Sequence, residues 1–136
     1  MPGAARSRPG ATLPNKVETA PVAEHPILDI HVHTLTPGVW TPGAAAYVET
    51  ANPALFAEAD AFADPAHLRR VLDAEGVDHA VVLAEEAPIT TGTITSEWVI
   101  DYCMRAPRLH AFVSINPLLE TDLVERLDRL RERGPV

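Results

Sequence analysis

The clearest alternation of apolar and polar positions is Ile27-Leu28-Asp29-Ile30-His31-Val32-His33, in which even positions are apolar and odd ones turn polar towards the C-terminal end. A period of two is the mark of a strand with two different faces. Val77 to Ala84 is a second β-rich run, continuously apolar in its second half, as expected of a parallel strand covered on both faces. Leu109 to Asn116 is the third, ended by Pro117. Between and after these runs the period changes to that of a helix. Leu68, Val71 and Leu72 repeat at helical spacing behind Asp64 as N-cap and Pro65 in the first turn, and Gly76 suits a left-handed cap. Trp98, Val99, Tyr102 and Cys103 mark a helix from Thr95 or Ser96 to Ala106, before Pro107. Leu123, Val124, Leu127 and Leu130 share a face of a last helix, Asp122 to Arg133, with an early acid, late arginines and Gly134 beyond.

The order β, α, β, α, β, α predicts right-handed crossovers and a parallel sheet covered by helices. Three such units make only part of a larger sheet, so the chain reads as a fragment of something longer. Two stretches show no period and are expected to be loops. One is 34–63, with Pro37, Gly38, Pro42, Gly43 and Pro53 beside Trp40, Tyr47 and Phe56, long enough to act as a lid or binding loop. The other is 85–94, with Pro88 and Gly92. Residues 1–24, rich in Pro and Ala, read as a disordered arm ahead of a single domain over 25–136. A transit peptide would also be rich in Arg and Ala, but Glu18 and Glu24 count against one.

Composition narrows the function. With 46% hydrophobic and 22% charged residues the chain can build one soluble core. The net charge of -8, with eleven scattered Lys and Arg, argues against nucleic acid as a partner. One cysteine, Cys103, allows no internal disulfide, and no apolar run approaches the roughly 18 residues of a membrane span. A cytoplasmic protein with a small-molecule substrate, and no membrane partner, is the expectation.

The candidate chemistry lies at the end of the first strand. Positions two apart share a face, so Asp29, His31 and His33 are expected to project together, with Leu28, Ile30 and Val32 on the other side under the helices. If the sheet belongs to a closed barrel, the histidines lie at its C-terminal mouth, where barrel enzymes keep their sites. Two imidazoles there can chelate a divalent metal, most naturally zinc, whose catalytic sites use three protein ligands and an open position. Such a metal lowers the pKa of its bound water towards about 7. The plain alternative is a solvated pair on an edge strand.

The surrounding segments carry a resemblance. Ile27 to His33, then Leu72-Asp73-Ala74-Glu75-Gly76-Val77-Asp78-His79-Ala80-Val81-Val82-Leu83, then Pro107-Arg108-Leu109-His110-Ala111-Phe112-Val113-Ser114-Ile115-Asn116-Pro117 resemble the amidohydrolase superfamily. The similarity is to its branch of decarboxylases and small-molecule hydrolases related to aminocarboxymuconate-semialdehyde decarboxylase. The resemblance implies an α/β fold, the first three βα units of a (β/α)8 TIM barrel, with His31 and His33 as ligands of a divalent metal, usually zinc. It also implies two further histidines and an acid on later strands, beyond residue 136. His67 and His79, on a helix and an early strand position, do not replace them.

Further residues are secondary candidates. Asn116 and Ser114 share a face of the third strand and could approach a substrate, or simply form the turn. Trp40, with Tyr47 and Phe56, could line a pocket or anchor the loop. Glu85 and Glu86 could supply a carboxylate for acid–base work, or be a solvated pair. His110 and Cys103 read as structural. Three functions compete: metal-assisted hydrolysis or decarboxylation of a small carboxylate or amide; a metal-dependent phosphoesterase, in which Leu35 stands where one such motif wants Asp; and a non-catalytic fragment associating with a second copy or a complementing chain through exposed strand edges.

Overall fold

The computed structural model describes residues 25–34 and 38–136. The arm expected over 1–24 lies outside them. The protein is mixed α/β. Strands β1 (Leu28–Val32), β2 (His79–Leu83) and β5 (Leu109–Phe112) form a parallel sheet in the order β1-β2-β5. Among the described residues no helix is long and apolar enough to cross a membrane.

Helices α3 (Pro65–Ala74) and α4 (Ser96–Met104) cover one face of this sheet. Each begins where a side chain caps it: Asp64 accepts from the amide of Ala66, and Thr95 from that of Trp98. At the end of α3, Gly76 takes φ +72, and the amide of Val77 reaches back to the Leu72 carbonyl at 2.8 Å, a closure that a residue with a Cβ would strain. Leu68 and Leu72 of α3, Val99, Tyr102 and Cys103 of α4, and Ala80, Val82, Ala84 and Leu109 of the sheet make the core, joined by Phe62 and Ile94. Burying a large apolar side chain contributes about 1.5–3 kcal/mol, so this layer holds the described fold together. Inside it the Tyr102 hydroxyl donates to the Phe62 carbonyl at 3.0 Å, and burial raises the phenol's pKa.

α5 (Leu123–Arg133) docks on α4 through Leu130, which is buried, and through two arginines seven residues apart. Arg126 forms a two-pronged pair with Glu97, and Arg133 one with Asp101. The hydrogen bond from Arg126 holds the Glu97 carboxyl below its ordinary pKa, and that from Arg133 does the same for Asp101.

Three expectations are corrected. The 34–63 stretch is not a loop throughout: α1 (Pro42–Ala51), α2 (Pro53–Ala57) and a short 3-10 helix (Ala59–Ala63) occupy most of its described part. The 85–94 stretch is a hairpin, β3 (Glu85–Ala87) paired antiparallel with β4 (Gly92–Ile94). Of the apolar residues of β1 only Val32 packs against the core beneath the helices, while Leu28 is 50% and Ile30 70% exposed. Leu28 pairs with His79, on the face opposite buried Ala80 and Val82, and beyond Asp29 the register breaks. Asp29 stands opposite Ala80 and Val32 opposite Val82, so three steps along β1 match two along β2. Asp29 and Val32 therefore align with the covered face, and His31 and His33, on either side of Val32, belong to the other. The expected shared face of Asp29 with the histidines is lost at this break.

Candidate metal centre

The sheet's second face is uncovered among the described residues, and the histidines stand at its C-terminal end. The Nε2 atoms of His31 and His33 are 3.1 Å apart, with ring centroids at 5.0 Å and planes inclined by 63°. Two nitrogens that each lie about 2.0–2.1 Å from one zinc, at angles between right-angled and tetrahedral, are about 2.8–3.4 Å apart. The observed separation falls inside that span, so the donor set fits two positions of a metal. Among the described residues no group of three or more His, Cys, Asp or Glu gathers to complete one.

Local structure sets this geometry. The Asp29 carboxylate accepts from the His31 amide at 3.0 Å, bracing the irregular stretch of β1 from within. Thr34, which follows the second histidine, is buried at 1% exposure, which fixes the strand's exit. Its hydroxyl has no hydrogen-bond partner among the described residues.

The hairpin brings in a carboxylate. Glu85 Oε2 lies 3.7 Å from His33 Nδ1, and Glu85 Oε1 accepts from the Thr91 hydroxyl. Its neighbour Glu86 turns the other way, as alternation along a strand requires, and meets Arg126 at 3.5 Å with its side chain 7% exposed. Arg126 gathers three carboxylates from three places: Glu86 of the hairpin, Glu97 of α4 and Glu120 at 2.9 Å from the loop before α5. The hydrogen bond with Glu97 comes first among the causes that raise the guanidinium's pKa. This cluster anchors the hairpin while leaving Glu85 beside the histidines.

The secondary candidates fall as follows. Asn116 donates from Nδ2 to the Glu86 carbonyl and accepts at Oδ1 from the Leu118 amide, both at 2.9 Å; it lies beyond β5, which ends at Phe112 and not at the expected Asn116, and its amide links that following segment to the hairpin. Ser114 is held by Ser96, whose hydroxyl donates to the Ser114 carbonyl and accepts from its amide. Trp40 forms an isolated bridge with Gly92 and stacks on Phe56 at 6.2 Å between centroids. Burial pushes the Cys103 thiol up to about 12, which removes it as a nucleophile at neutral pH.

The structure also joins two residues not paired from the sequence. His79 Nδ1 and His110 Nε2 are 3.1 Å apart across β2 and β5, beside a cleft of about 480 Å³ lined by Pro26, Leu28 and Val81. Their centroids stand 5.3 Å apart with planes only 30° off parallel, so the nitrogens meet nearly head-on, as in an N–H···N hydrogen bond. His31 and His33 have the same nitrogen separation with centroids 5.0 Å apart, so without a metal they too can share an N–H···N hydrogen bond.

Comparison of the chain with family models, with curated proteins and with solved structures returns no match.

Proposed function

We propose that this chain is a sector of a metal-dependent barrel enzyme of the amidohydrolase type, acting on a small carboxylate or amide by hydrolysis or non-oxidative decarboxylation. The observation that carries the reading is the convergence of His31 and His33 at the C-terminal end of a parallel strand, on the uncovered face of a sheet whose strands follow chain order. A barrel sector has this form: helices outside, strands adjacent in sequence, and an inner face whose remaining walls come from further βα units. The exposed Leu28 and Phe112, at 50% and 62%, align with His79 and Leu83 on the uncovered face, which supports this reading.

A divalent metal, most naturally zinc, would be held by His31 and His33 with further ligands from outside the described residues, and it would supply Lewis acidity and an acidified water. The chain's own residues fix the two imidazoles: Asp29 braces the strand and Glu85 of the hairpin faces the outer nitrogen of His33. Calorimetric titration with zinc tests the reading. The unaltered chain is expected to bind, and His31→Ala or His33→Ala to lose the heat; equal binding by both variants would refute it.

The open sheet face favours a second reading, association with another copy or a complementing chain, because the two outer strands expose Leu28, Ile30 and Phe112. The two readings are compatible, since a sector that binds metal with two ligands gains the rest through such association.

A further inference from the structure

Glu85 and His33 come from segments 52 residues apart in sequence, and their meeting has consequences beyond the pairing of the histidines. A neutral imidazole carries one N–H, and the nitrogen that keeps it is set by what faces each side of the ring. The Glu85 carboxylate, which only accepts, faces His33 Nδ1 at 3.7 Å, while His33 Nε2 faces His31. At that distance the contact is electrostatic and lies just outside hydrogen-bond range, yet it favours a proton on Nδ1 over a lone pair there. Both side chains are partly exposed, at 38% and 29%, so the pair adds little to folding stability.

The carboxylate is held for this task. Its second oxygen accepts from Thr91 across the hairpin. The backbone of the next residue, Glu86, accepts from Asn116, and the Glu86 side chain meets Arg126.

We propose that Glu85 is a positioning residue that fixes His33 in the Nδ1–H tautomer and so turns the Nε2 lone pair inward, towards the point shared with His31. For a metal site this is the outer-shell carboxylate that orients a ligating histidine; that part rests on the metal reading, whereas the tautomer does not.

The test uses the metal-free chain at a pH where His33 is neutral, with long-range proton–nitrogen NMR spectra reporting which ring nitrogen carries hydrogen. The expected result is Nδ1–H at His33 in the unaltered chain and a shift towards Nε2–H in Glu85→Gln and Glu85→Ala, with amide spectra otherwise preserved. Zinc affinity, measured in parallel, is expected to fall about tenfold to a hundredfold in both variants. An unchanged tautomer in both variants overturns the proposal, even where zinc binding depends on His31 and His33. A changed tautomer with zinc binding indifferent to both histidines supports the positioning role and refutes the metal reading instead.

Discussion

Ser96→Ala should weaken the fold where it supports the candidate site. Ser96 is fully buried at the first position of α4. Its hydroxyl donates to the Ser114 carbonyl at 2.7 Å and accepts from the Ser114 amide at 2.9 Å. Those two bonds tie the chain beyond β5 to the helix after the hairpin, in the region where Asn116 meets Glu86. Removing the hydroxyl strips both partners of Ser114 at once. One such loss costs about 1–1.5 kcal/mol when the groups left behind are partly shielded from water, so the pair amounts to about 2–3 kcal/mol. Alanine's better helix propensity returns at most about 0.5 kcal/mol, and the loss wins. The net of about 2 kcal/mol corresponds to a fall in melting temperature of roughly 6–10 °C for a chain of this size. Thermal unfolding followed by circular dichroism gives the total, and hydrogen exchange shows where it falls. The Ser114 amide is expected to exchange faster while the α3 amides stay protected. A shift below 2 °C with unchanged exchange at Ser114 would refute the reasoning.

Two further perturbations address the hairpin and the docking of α5. Gly92 has φ +140, and a Cβ there would sit 2.1 Å from the Val39 carbonyl oxygen, so Gly92→Ala should cost at least about 2 kcal/mol in backbone strain and displacement and release Trp40, read as a shifted indole resonance; an unmoved resonance would count against the bridge. For Glu97 and Asp101 the folded-state pKa lies below the unfolded value, so their contribution is complete above about pH 4–5 and is lost as the pH falls through the lowered folded values. Protection factors of the α5 amides, corrected for intrinsic exchange at each pH, should therefore fall on acidification and stay level from pH 5 to 8, and Glu97→Gln with Asp101→Asn should flatten the acid response; an equal response in that double variant would disprove the assignment.

The sequence showed most clearly those elements whose signals are local. α3 was readable from Asp64, Pro65 and Gly76 because capping and a left-handed terminus depend on neighbours in the chain. The three parallel strands were readable because their apolar runs are bounded by polar residues, though the third pairs only to Phe112 rather than Asn116. The helices α1 and α2 carried the same punctuation, Thr41 before Pro42 and Asn52 before Pro53, each with the cap accepting from a first-turn amide. There the prolines read as loop markers because the apolar spacing behind them is weak and both helices bury little. The hairpin was hidden because Glu85 and Glu86 are poor strand formers and because it is held from afar, by Val39, Thr41 and Arg126.

The candidate site divides the same way. His31 and His33 were visible as a spacing of two on a strand. The register break that separates them from Asp29 depends on β2 and has no signature within β1. The approach of Glu85 to His33, and of His79 to His110, follows from how segments 31 to 52 residues apart are laid side by side.

The central claim, that His31 and His33 present two nitrogens to one metal, is tested most directly by X-ray absorption at the zinc edge on the zinc-loaded chain. The account predicts two imidazole nitrogens at about 2.0–2.1 Å, and their loss when His31 and His33 are both replaced by alanine. A spectrum without imidazole scattering, or one unchanged in the double variant, would contradict it.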